Sequence, residues 1–210
     1  MADLDAVLQS VCPTVMVPRY VPFEPLAGHG HRFLAARDGL HIEARRSWLH
    51  AILPVGSSAV QLPYGAVTPQ VRFRLHGLAG LVARFIAEAR MACPMEHAAW
   101  LLSDPATGHL QYAEGAVISQ GPAHIRYRRP KFSASQMLAV DLHSHGRHEA
   151  GFSSVDDEDA ADDAKLEIVI GNLDAEICSV ACRLSLMTLK VDYSKWLASI
   201  LYDESIEEGA

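Results

Sequence analysis

QMLAVDLHSHGRHEAGFSSVDDEDAADDAKLEIVIGN, residues 136–172, is the stretch whose reading decides the fold. Its first ten residues read as an apolar strand that ends on two histidines. DDEDAADDAK, from Asp156, reads as an acidic helix, and LEIVIGN as a buried strand. A strand, a short helix and a second strand in that order place the chain in the α/β class, with helices on a mixed sheet.

Chemistry concentrates in the same stretch. His143 and His145 are two apart, so on a strand both imidazoles project from one face, with Ser144 facing away. Two imidazoles hold a metal poorly, and a catalytic zinc ordinarily has three protein ligands and an open position. Asp156, at the start of the acidic helix, is the candidate third ligand. Residue types alone leave a plainer reading open. An HxH pair can be two polar side chains on a solvated face, and Asp156 a first-turn acid favoured by the helix dipole. Ser153 or Ser154 would then cap the helix. Asp157, Glu158 and Asp159 are expected on the solvated helix face, and His148 in a loop. The HxHxDH pattern of metallo-β-lactamases fails because Arg147 stands where an acid is required and no histidine follows His148. An amidohydrolase barrel fails because 65 residues after His145 are too few for it.

H-x-H, seven residues, then S-x-x-D resembles the signature of the JAMM (MPN+/JAB) metalloproteases, matched by His143, His145, Ser153 and Asp156. That family also has a glutamate upstream, and PMEHAAWLL (94–102) supplies Glu96, although without the glycine of the usual context. The resemblance covers about 71–190 and implies a JAB/MPN-like mixed β-sheet flanked by helices. It implies a Zn²⁺ ion held by His143, His145 and Asp156. Glu96 would be the general base that later protonates the leaving amine, and Ser153 a donor to the oxyanion. The reaction implied is hydrolysis of peptide or isopeptide bonds, at the C-terminal tail of a ubiquitin-like protein. Gly146 departs from the proline common after the second histidine, and glycine there is expected to loosen the loop. The helix follows Asp156 directly, without the long insertion of some eukaryotic deubiquitinases, which favours the prokaryotic branch. Some members of that branch work beside ubiquitin-like, E1-like and E2-like partners. The other readings are a RadC-like JAB protein linked with DNA metabolism and a non-catalytic JAB scaffold. Acidic charge weighs against the first and the complete ligand set against the second. His97 and Asp141 are set aside as strand neighbours facing away from the site.

Outside this stretch, the 210 residues are half hydrophobic and a fifth charged, a globular balance. A net charge of −7 argues against a general nucleic-acid partner. No run of 18 apolar residues suggests a membrane span, and MADLDAVLQS lacks the order of a signal peptide, so a cytoplasmic protein is expected. Cys12, Cys93, Cys178 and Cys182 have no CxxC spacing and read as plain thiols. Residues 1–70 read as a small β-rich region, 71–203 as the JAB/MPN-like domain and 204–210 as an acidic tail that frays. RFLAARDGLHIEARR (32–46) predicts a hairpin turning on Asp38-Gly39 with both at positive φ. Leu78, Leu81, Val82, Phe85 and Ile86 fall on one face of a helix over 78–90 that Pro94 ends. HAAWLLSD and HLQYAEGAVIS read as two antiparallel strands, and HIRYRRPKF (124–132) as a basic loop or edge strand able to hold an acidic partner or an extended tail.

Overall fold

In the computed structural model, residues 4–122, 124–128, 136–159, 164–187 and 189–202 are described. Arg129, Lys131 and the acidic tail lie outside them. The chain divides into two compact units, Met1–Arg74 and Leu75–Ala210. The division falls just after the last strand of the first unit, a few residues beyond the expected 70/71.

The first unit opens with α1 (Leu4–Val11) and builds one sheet in chain order: β1 (Thr14–Met16), β2 (Gly30–Ala36), β3 (Gly39–Arg45), β4 (Leu49–Ser57) and β5 (Gln70–Phe73). β1 runs parallel to β2 and the other pairs are antiparallel. Val17, Leu34, Ala36 and Ile52 form its core, with Val15, Phe23 and Val67 against them. Buried Glu43 accepts hydrogen bonds from Arg32 Nε at 2.7 Å and the Leu26 N–H at 2.8 Å, which satisfies its charge. The β2–β3 hairpin forms, but its turn is Arg37-Asp38, because Ala36 pairs with Gly39. Only Gly39 has positive φ, at 143°, and a Cβ there would lie 2.1 Å from the Gly56 carbonyl oxygen. The glycine is therefore required by close strand approach, not by the turn itself.

The second unit begins with α2 (Leu78–Ala92), followed by β6 (Ala98–Ser103), β7 (Leu110–Glu114), β8 (Ala116–Gly121), β9 (His124–Arg128) and β10 (Met137–Ser144). After these come α3 (Ser154–Asp159), β11 (Ala164–Gly171), β12 (Ser179–Leu186), β13 (Leu189–Asp192) and α4 (Ser194–Tyr202). Six strands form a mixed sheet in the order β13-β12-β11-β10-β6-β7, with β10 and β11 parallel. β8 and β9 form a separate ribbon. HLQYAEGAVIS is thus two strands in two sheets. They part at Gly115, where a Cβ would lie 2.6 Å from the Trp100 ring.

The two faces of the main sheet differ, and that difference positions the site. α2 buries Leu78, Val82, Phe85 and Ala89, and Phe85 stacks on His97. His97 also meets Glu88 of α2 at 3.4 Å, so this face carries the α2 packing. Cys182 is fully buried and its N–H donates to the Ser194 hydroxyl at the start of α4, a helix absent from the sequence-based expectation. The opposite face carries the residues of other parity: Trp100, Asp141, His143, Glu167 and Arg183. Direct pairing aligns Asp141 with Trp100 and Glu167, and Glu167 with Arg183. All eight residues of β11 are buried, as a central strand covered on both faces requires. Among the described residues no helix is long and apolar enough to cross a membrane.

Candidate metal centre

The site forms at the carboxyl end of β10, where the chain leaves the sheet beside its parallel neighbour β11. Such strand ends are where open α/β sheets place their ligands. His143 is the penultimate residue of β10, and His145 stays in register because its N–H donates to the Ile170 carbonyl at 2.9 Å. The two rings face one side, with centroids 5.2 Å apart. Between them, Ser144 is fully buried and joins β10 to the approach of β6. Its N–H donates to the His97 carbonyl and its Oγ accepts the His97 N–H, both at 2.9 Å. Ser144 thereby fixes the spacing between the Glu96 segment and the two histidines, a role that its place inside HxH hints at but does not specify.

The loop after His145 is tightly held. Gly146 has φ 55°, and a Cβ would lie 2.6 Å from the Pro94 carbonyl oxygen. Proline cannot adopt that conformation. The glycine is a close-contact requirement, not the loosening expected from its departure from the family pattern. His148 is exposed, and its backbone only braces the loop: its N–H donates to the His145 carbonyl and its own carbonyl accepts the Asn172 N–H.

The loop delivers Asp156 from α3. His143, His145 and Asp156 each offer a donor atom, and the three atoms lie within 4.8 Å of one another. His143 Nε2 and Asp156 Oδ1 are 3.5 Å apart, about the spacing of two ligands at ~2 Å from one tetrahedral ion. His143 Nε2 is shut from solvent and makes no hydrogen bond. An orphaned buried nitrogen is costly in a native fold unless something occupies the space it faces. Desolvation holds the His143 pKa below the ordinary imidazole range and outweighs the pull of the Asp156 charge, so the ring is in its neutral, ligating form. His145 Nδ1 approaches the Glu149 carbonyl at 3.3 Å, an outer partner that would fix its tautomer and leave Nε2 as donor. Burial alone would raise the Asp156 pKa. The Ser153 N–H at 2.6 Å and Ser153 hydroxyl at 2.7 Å, with the two imidazoles, overcome this and keep the carboxylate ionised. Both Ser153 contacts fall on Oδ2, which leaves Oδ1 turned to His143. The donor set suits zinc: two neutral imidazoles, one carboxylate and a buried nitrogen without another partner.

Glu96 precedes β6 by two residues. His143 pairs with Ala98, so strand alternation puts Glu96 on the His143 face. Its N–H is held by the Gly121 carbonyl at 3.0 Å, and the residue is 9% exposed. Burial, followed by the nearby Asp156 charge, raises its pKa to about 7. A carboxyl poised there can both accept and return a proton near neutrality. In the metal-free protein the folded pKa lies above the ordinary value of 4.5, so stability is lost as pH rises from about 4.5 through 7. Glu96→Gln is expected to flatten this dependence and stabilise the metal-free protein at pH 8 by of the order of 2–3 kcal/mol. Denaturant titrations at pH 5 and pH 8 measure it, and equal slopes for both proteins would remove the buried, charge-coupled glutamate.

Asp141 and Asp157 lie otherwise than their sequence positions suggest. Asp141 is two residues from His143 and shares its face; Lys165 Nζ donates to its Oδ2 at 3.0 Å. Asp157 is not a free acid on the helix face, because Arg183 Nη1 donates to its Oδ1 at 2.6 Å and Lys190 donates to the same oxygen. His97 does face away, toward α2. Ser153 is the cap: its hydroxyl accepts the Asp156 N–H at 3.3 Å while donating to Asp156 Oδ2.

A mixed sheet flanked by helices, with a histidine-histidine-aspartate cluster at the end of its central parallel pair, defines an α/β domain built around a candidate metal centre. The chain belongs to the family described as prokaryotic homologs of the JAB domain, which matches residues 78–183. Residues 2–74 match a domain of unknown function, DUF2016. No curated protein matches the chain. Among solved structures, protein DSY2949 from Desulfitobacterium hafniense is similar at 17% identity and a TM-score of 0.41, over 57% of this chain and 88% of that one.

Proposed function

We propose that the protein is a JAMM-type zinc hydrolase that cuts peptide or isopeptide bonds at the C-terminal tail of a ubiquitin-like protein. The observation that carries this reading is the pairing of an orphaned, neutral His143 Nε2 with Asp156 Oδ1 on the same sheet face as Glu96, whose pKa is raised to about 7. Held by His143, His145 and Asp156, zinc would acidify a water molecule and polarise the scissile carbonyl. Glu96 takes a proton from the attacking water and returns it to the departing amine. Ser153 carries one hydroxyl hydrogen, and that hydrogen is given to Asp156 Oδ2. Its service to the oxyanion therefore follows rotation of the side chain away from Asp156.

The family, the added N-terminal unit and the HSHG run make PRTRC system protein A the particular identity we favour. Ubiquitin-like, E1-like and E2-like proteins are then its partners. Four free thiols fit the reducing cytoplasm, where we place it. Zinc-loaded protein incubated with ubiquitin-like proteins bearing C-terminal extensions tests the reading. Release of the extension that stops on chelation supports it. Full zinc loading with no cleavage of peptide or isopeptide fusions would instead make the protein a scaffold.

A further inference from the structure

α3 has six residues, too few to hold itself as a helix in water, yet it must present Asp156 to within a few tenths of an ångström. Ser153 orients the carboxylate within the helix but does not join the helix to the sheet. Asp157, by contrast, has its side chain hydrogen bonded to the sheet, at Arg183 of β12 and Lys190 of β13. Its partner Arg183 does not stop there. Arg183 Nε donates to Glu167 Oε2 at 2.7 Å, and Glu167 also accepts the Ser185 hydroxyl. Glu167 Oε1 lies 3.6 Å from Lys165 Nζ, which reaches Asp141 on β10. Arg183 Cζ lies over the ring of Phe152, in the loop that leads into α3, 4.0 Å from its centroid. Lys190 Nζ adds a contact to the Asp157 carbonyl at 3.3 Å.

These contacts make a continuous path, Asp157–Arg183–Glu167–Lys165–Asp141. One end is the neighbour of ligand Asp156; the other is two residues before ligand His143. Lys165, Glu167 and Arg183 are each under a tenth exposed, so the path lies in a low-dielectric interior where geometry is strongly enforced. We infer that this buried ion bridge sets the distance between α3 and β10, and that Asp157 and Arg183 are positioning residues for the metal. Arginine suits the task because its rigid fork bonds Glu167 and Asp157 at once. A lysine reaches one acid but not both.

The inference rests on the triad being a metal centre, and metal affinity measured without reference to activity tests it. Zinc is titrated into metal-free full-length protein against a chromophoric chelator. Side-chain exposure of Asp157 is 54%, so Asp157→Asn is expected to leave metal-free thermal stability within about 2 °C of wild type. It is nevertheless expected to weaken zinc affinity by about 10–100-fold, the range for partners behind a ligand. Asp157→Glu should recover part of the loss, and Arg183→Lys should resemble Asp157→Asn. Wild type and Asp157→Asn binding zinc equally tightly would overturn the inference alone. Absence of zinc binding by wild type would overturn the metal-centre reading beneath it. If Arg183→Lys fails to fold, the Asp157 pair still decides.

Discussion

Glu96→Ala is expected to retain zinc at the wild-type level and to lose hydrolysis by about 10²–10⁴-fold, the contribution of a placed acid-base group. The separation of the two effects is what identifies the residue. Glu96 is on the His143 face but outside the three-atom cluster. Its removal deletes no ligand, and it takes a buried charge away from Asp156. Loss of zinc along with activity would make Glu96 a ligand or a structural prop. Retention of both would leave the proton to be carried by another group. Because the Asp156 charge contributes to the raised pKa, a cation at the cluster pulls the Glu96 pKa down from about 7. The acid limb of the activity profile should therefore lie below pH 7 and vanish in the variant's residual activity.

His145→Ala is the second large effect, expected to abolish both metal binding and cleavage. The two residues left, His143 and Asp156, are a pair that holds zinc weakly. The affinity lost should exceed the ~10–100-fold expected for Asp157→Asn, because a ligand and not its support is removed. The fold should survive. His145 lies past the end of β10, and the backbone contact that keeps it in register, its N–H to the Ile170 carbonyl, needs no imidazole. Zinc content by metal analysis, beside a circular dichroism spectrum, checks both halves. Full zinc in this variant would remove His145 from the ligand set.

The α/β class was legible because the switch from period two to period 3.6 is local, as in the α2 stripe and the β10–α3–β11 segment. The candidate cluster was legible for a similar reason. His143, His145, Ser153 and Asp156 lie within one short segment, whereas Glu96, far upstream, was indicated only by the family resemblance and takes its place on the His143 face once β6 and β10 are paired. What was not legible depends on cross-strand partners. Arg183 reaches Asp157 over 26 positions and Lys165 reaches Asp141 over 24, so neither pair has a local signature. Asp141 was set aside as a strand neighbour although its spacing from His143 is even, which puts both on one face. Gly115 and Gly146 take their meaning from the Trp100 ring and the Pro94 carbonyl, which approach only in the folded chain. The turn shift to Arg37-Asp38 has the same origin, since β4 backbone crowds Gly39.

The central claim is that one zinc ion is held by His143, His145 and Asp156. Its most direct measurement is the zinc stoichiometry of chelator-stripped wild-type protein after reloading and gel filtration, beside His145→Ala treated in the same way. The account predicts close to one equivalent in wild type and little in the variant. Wild type emerging without zinc, or both proteins emerging with equal amounts, would contradict it.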